Sequence, residues 1–186
     1  GIGLYGGLGV AFEGALFHVL ANSLMKVVAF LAVGAIAYRV HQTSIAEYRN
    51  LDALAGVGYQ MPIASGAVAV AVLALAGVPP LAGFWGKLLI VIGSADISGP
   101  LGLGLALLII GNSFLSLGYY LPVLGQLFAT PSGEIETVES TPAWTAVPII
   151  GLTAGTILLG LSPGIGLDLV AQAAEVLQHG PGVVPC

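Results

Sequence analysis

From Ile63 to Gly93 the sequence runs for 31 residues with a single charge, Lys87, and this run constrains the fold more than any other feature. A straight helix of that length would reach about 46 Å, well beyond the roughly 30 Å of bilayer hydrocarbon. Its middle, however, reads GVPPLAGFWGK. Pro79 and Pro80 remove two backbone donors and turn the preceding residues away from the α region, while Gly77, Gly83 and Gly86 permit tight turns. Neither Ile63–Val78 nor Phe84–Gly93 spans comfortably alone, so the run is expected to make one crossing from two half-helices. Gly77, Pro79, Pro80 and Gly83 are the expected hinge. Unwound backbone at membrane depth is tolerated only where protein or a water-filled cavity satisfies it, so the break points to a pathway.

The rest of the chain has the same solvent. Hydrophobic residues make up 57% and charged residues 7%, with a mean hydropathy of +1.02, whereas about a quarter of a soluble domain is charged. Ala15–Tyr38, Leu101–Leu121 and Trp144–Leu161 read as three further spans, the last with an internal Pro148 and a tryptophan at its edge. The expected fold is an all-α integral membrane domain over 1–186, with about four crossings forming part of a larger helix bundle. Gly1–Phe12 is too short to cross and reads as the tail of a helix that begins elsewhere. No signal-peptide pattern is visible at Gly1. Arg39–Gln60 holds two of the four basic residues and is expected on the cytoplasmic side; Pro131–Pro142 carries Glu134, Glu136 and Glu139. The tail 163–186, with Asp168, Glu175 and His179, is expected along the membrane surface. Nine acids against four bases, with no basic tract, exclude nucleic acid as a partner. The single cysteine, Cys186, offers neither a disulfide framework nor a metal-ligand spacing.

Two lysines stand within these spans, Lys26 and Lys87. A lysine at the centre of a span costs roughly 2.5–3.5 kcal/mol on insertion scales, so each needs a reason to be there. Snorkelling from a helix end is the plain alternative. His18, Asn22 and Lys26 follow at intervals of four, which stacks them on one helix face over about 12 Å. Such a stripe is able to pass protons through side chains and intervening water, or to serve as a hydrogen-bonded seam to a neighbouring helix. It is expected to face the half of the bundle that holds Lys87. Glu13 reads as a solvated acid at the helix start in preference to a proton acceptor. Asn112, Ser113 and Ser116 suit the same interior, but small polar residues also serve packing, and they receive no role. No Ser-His-Asp, P-loop or metal-ligand spacing is visible, and GLYGGLG near the start does not follow a strand.

Three strings in order, FHVLANSLMKVVAFLAVGAI, SIAEYRNLDALAGVGYQMP and LALAGVPPLAGFWGKLLI, resemble the antiporter-like proton-conducting membrane subunits of respiratory complex I and related complexes. Cation/proton antiporter subunits and membrane-bound hydrogenase subunits are relatives of that family. The resemblance covers nearly the whole chain and corresponds to the C-terminal half of such a subunit. It implies a hydrophilic axis to which His18 and Lys26 contribute, with Asn22 where the family more usually has histidine, so that a water would take one relay step. It also implies that Lys87, on the broken helix, serves the outlet. The family's N-terminal half would come from another chain or segment, alongside other membrane subunits and the lipid bilayer. The implied function is proton or cation translocation as a non-redox membrane subunit of an energy-converting oxidoreductase complex. No cofactor is expected in this chain; flavin and iron–sulfur clusters are expected in partner subunits. The alternatives are a subunit of a multisubunit sodium/proton antiporter, and a scaffold without transport, against which both lysines argue. An energy-transducing membrane, most plainly a prokaryotic cell membrane, is the implied location.

Overall fold

Pro62 opens one helix and Gly77 closes it; five residues later Ala82 opens the next. Proline at a helix's first position loses nothing, because that N–H has no intrahelical partner, and glycine just past the end supplies the left-handed turn that stops the helix. The computed structural model describes residues 9–42, 54–95, 97, 99–130 and 140–179. These form α1 (Val10–Gln42), the single turn α2 (Val57–Gln60), α3 (Pro62–Ala76), α4 (Ala82–Ser94), α5 (Pro100–Leu127), α6 (Ala143–Leu161) and α7 (Pro163–His179). The described residues contain no strand. By length and composition α1, α5 and α6 are able to cross a membrane, and α3 and α4 are the two shorter apolar pieces of the broken run.

α1 is the spine, packing against α3, α4, α6 and α7. Toward its C-terminus Val28, Ala32, Ile36 and Val40 join Met61, Val68 and Ala71 of the α3 region and Ile149 of α6 in one buried cluster. Toward its N-terminus Phe17, Ala21 and Met25 join Ala74, Ala82 and Val170 in a second. The hinge between α3 and α4 lies at this second cluster, against the middle of α1. α5 leans on α3 and α4, and Gly102 and Leu127 are its buried residues. Its exposed side chains are mostly apolar, Leu103, Leu108 and Phe114 among them.

Several elements differ in extent from the sequence expectation. α1 starts before Ala15 and continues past Tyr38 to Gln42, so Glu13 lies within its first turn. α5 runs through Pro122 to Leu127 instead of stopping at Leu121, and much of the tail after Pro163 is a helix whose Gly166, Val170 and Ala174 face inward. Hydropathy reports where the solvent changes, and a helix persists beyond that boundary wherever its backbone bonds continue. The expectations for 1–8, for Glu47, Arg49 and Asp52, for Glu134, Glu136 and Glu139, for the side chains of Glu175 and His179, and for Cys186 lie outside the described residues.

Candidate functional site

A helix leaves its last four carbonyls without intrahelical donors; in α3 these belong to Leu73, Ala74, Leu75 and Ala76. Gly77, at φ 90°, turns its N–H onto Leu73 and Ala74 at 3.1 and 3.0 Å, and the Val78 N–H reaches Leu73 at 3.1 Å. This is the double closure that a left-handed glycine makes possible, and it satisfies two of the four. The other two are met from across the break. The Lys87 ammonium donates to Leu75 O and to Ala76 O, both at 2.9 Å. Pro79 and Pro80, joined by a cis peptide, bring no N–H that needs a partner, and the Leu81 N–H closes onto Val78 O at 3.0 Å. A cation thus sits on the negative end of the α3 dipole, where such a charge is favoured.

Glycines set how closely α4 approaches α1. A Cβ on Gly86 would stand 2.7 Å from the Cβ and 2.8 Å from the Cα of His18, and one on Gly93 would stand 2.5 Å from the Cβ of Ala11. The pairs recur seven residues apart on both helices and run in opposite directions, so α1 and α4 are antiparallel. His18 consequently lies beside the residue that precedes Lys87. Its side chain is half-buried, and its Nδ1 is buried without a hydrogen-bond partner. Both Lys87 and Lys26 are within electrostatic reach of it. On the other side of Lys87 a cleft of about 390 Å³ opens between the hinge, α4 and α5, lined by Gly77, Pro79, Phe84, Lys87, Ser113 and Phe114 among others. Its wall is mainly apolar, and Lys87 is the ionisable group in it.

The expected stripe does not stay on one side. His18 reaches the break, Asn22 is half-buried, and Lys26 is exposed on a flank of α1 shared with Val19, Ser23 and Phe30. The expectation that all three face Lys87 is corrected accordingly. Four-residue spacing overshoots a helical turn by about 40°, so two steps rotate the third side chain by about 80°. Glu13 is partly buried on the first turn of α1. Of the α5 trio, Ser113 lines the cleft while its hydroxyl donates to Ile109 O at 3.1 Å. Asn112 is exposed, and Ser116 donates to its carbonyl at 2.8 Å. All four hinge residues stand at or beside the break, and a Cβ on Gly83 would collide with Ala74 O. Sequence reasoning missed two participants. The Trp85 indole N–H donates to Gly160 O at 2.7 Å, and Gly160 packs directly on the backbone of Pro80–Ala82. No signal in the sequence joins residues 75 positions apart. Among the described residues no three of His, Cys, Asp and Glu gather as metal ligands.

Residues 2–115, more than half of the chain, match the family profile described as NADH:quinone oxidoreductase/Mrp antiporter, transmembrane. Among similar proteins, F(420)H(2) dehydrogenase subunit N of Methanosarcina mazei is 36% identical over 90% of this chain and 34% of its own length. NADH-quinone oxidoreductase subunit N 1 of Solidesulfovibrio magneticus is 36% identical over 86% of this chain and 32% of its own. The chain thus spans about a third of the length of these relatives. Among solved structures, a chain of the Mrp complex from Dietzia sp. superposes with a TM-score of 0.77 at 22% identity, covering 92% of this chain and 39% of that one, which speaks to the fold. A chain of respiratory complex I from Thermus thermophilus gives 0.52 at 26% identity, covering 86% of this chain and 43% of that one.

Proposed function

This chain belongs to the NADH:quinone oxidoreductase/Mrp antiporter transmembrane family, and from that premise we propose that it translocates protons as a non-redox membrane subunit of an energy-converting oxidoreductase complex. The observation that carries this reading is Lys87, a titratable cation at a helix break, bonded to two backbone carbonyls and facing an open cleft. An ammonium has three donors and an amine two. Two of them suffice for Leu75 and Ala76, so Lys87 is able to lose its proton while the break stays hydrogen-bonded. A positive charge arriving nearby favours that loss, and the proton departs into the cleft. His18, packed against Gly86 beside Lys87, supplies the next proton. Lys26, on the open flank of α1, continues the line toward a segment or partner chain that supplies the rest of the conducting half. In this reading flavin and iron–sulfur clusters belong to other subunits of that complex, and this chain moves protons without a redox group of its own.

The test uses the intact complex in sealed vesicles. Lys87→Met lowers the number of protons moved per electron while electron transfer persists. Unchanged proton yield would sink the reading and favour the scaffold alternative. The family also covers antiporters driven by an existing gradient; flavin and iron–sulfur absorbance in the purified assembly separates the two, since an antiporter complex shows neither.

A further inference from the structure

We propose that Trp85 and Gly160 are positioning residues for Lys87, with the C-terminus of α6 acting as the clamp that holds the helix break in register. The inference rests on the translocation reading above for its transport consequence. Gly160 is in the last turn of α6, where carbonyls lack intrahelical donors. The Ser162 N–H takes Leu158 O at 2.8 Å, and the Trp85 indole takes Gly160 O at 2.7 Å. Trp85 and Lys87 are two positions apart on α4, which places them about 200° around the helix from one another. One caps α6, and the other caps α3 through Leu75 and Ala76. The first turns of α4 therefore tie together the ends of two different helices. A slide or rotation of α4 large enough to withdraw Lys87 from α3 also breaks the bond to α6.

Gly160 adds a steric half to the clamp. A Cβ there would stand 2.5 Å from Pro80 O, 2.7 Å from Ala82 N and 2.8 Å from Leu81 C. These are backbone atoms of the hinge itself, with no flexible side chain to give way. The absence of a side chain lets α6 rest on the peptide units that join α3 to α4, so the hinge is braced on one face by α6 and bridged on another by Lys87. Packing alone needs the bulk of Trp85 but not its N–H, and that difference makes the proposal testable.

Trp85→Phe keeps a large ring and removes the donor. In the intact complex in vesicles, two readouts are taken: protons moved per electron, and modification of Lys87 by a membrane-permeant amine reagent, quantified by peptide mass spectrometry against Lys26 in the same sample. Lys87 labelling is expected to rise roughly fivefold, the factor that one lost hydrogen bond gives. Proton yield should fall with complex content and electron transfer retained. Gly160→Ala, which strikes the same contact from α6, is expected to act in the same direction and decides the matter if Trp85→Phe does not assemble. Unchanged labelling in both variants overturns the clamp, as does raised labelling with unchanged proton yield, or a yield that falls only in proportion to lost complex. Should Lys87→Met itself leave the proton yield intact, the translocation reading fails, while the labelling result still decides whether Trp85 and Gly160 hold Lys87 in place.

Discussion

The ammonium of Lys87 reaches back across a broken helix to the carbonyl of Ala76, at 2.9 Å, and to its neighbour Leu75 at the same distance. A lysine that caps the helix preceding its own is doing two tasks with one group. It repairs the backbone that the prolines interrupt, and it keeps a titratable charge where the chain opens onto a cleft. The two tasks are separable by substitution, because one needs donors and the other needs a proton that leaves.

Lys87→Arg keeps donors and charge but does not release a proton at accessible pH. It is expected to retain the thermal stability of the complex and lose most proton transfer. Lys87→Met loses both, with a destabilisation of the order of 2 kcal/mol from the abandoned carbonyls. Thermal unfolding in detergent alongside proton yield in vesicles checks the pair; equal stability of the two variants would contradict the capping role.

Gly86 of α4 and Gly104 of α5 are predicted to behave oppositely. Gly86→Ala forces a Cβ to within 2.7 Å of His18 Cβ, and overpacking of this kind costs about 1–3 kcal/mol. Gly104 on α5 has nothing within 4 Å of the same position, so Gly104→Ala is neutral or gains up to about 1 kcal/mol of helix propensity. The order of the two melting temperatures is the measurement.

Gly77→Ala meets strain and crowding together. The backbone is left-handed there, at φ 90°, and the added Cβ would approach Lys87 Cδ at 3.1 Å and Nζ at 3.2 Å. A side chain in that conformation costs about 1–2 kcal/mol, and the displaced ammonium adds a transport defect. Lowered stability together with lowered proton yield is expected; a defect in neither would show that the α3 closure tolerates rearrangement.

Lys26 stands among apolar exposed side chains, with Val19 at 64% and Phe30 at 73% exposure on the same flank. A charge on such a face is costly in lipid and reasonable against a polar partner. Lys26→Ala is expected to abolish most proton transfer, whereas Asn22→His, which places an imidazole on the half-buried step between His18 and Lys26, leaves it working. Proton yield from the two complexes is compared at equal electron transfer; normal yield in Lys26→Ala would remove that residue from the route.

The sequence by itself determined the solvent, the helix break and its place, because apolar length and the Pro79–Pro80 pair act locally: a missing donor is missing in any tertiary context. It also singled out His18, Lys26 and Lys87, since charge within an apolar run is costly wherever the run packs. What each polar group faces was settled only by tertiary structure. Spacing of four kept His18, Asn22 and Lys26 on a drifting stripe, but contact between His18 and Gly86 fixed which end of the stripe meets the break and left Lys26 on the open flank. The carbonyls that Lys87 caps are backbone atoms and carry no mark in a residue string; they became visible once the Gly77 closure showed which two of four remained. Trp85 and Gly160 meet across 75 positions for the same reason: a helix end offers its bare carbonyls to whatever packing brings near, and packing is a property of the whole fold.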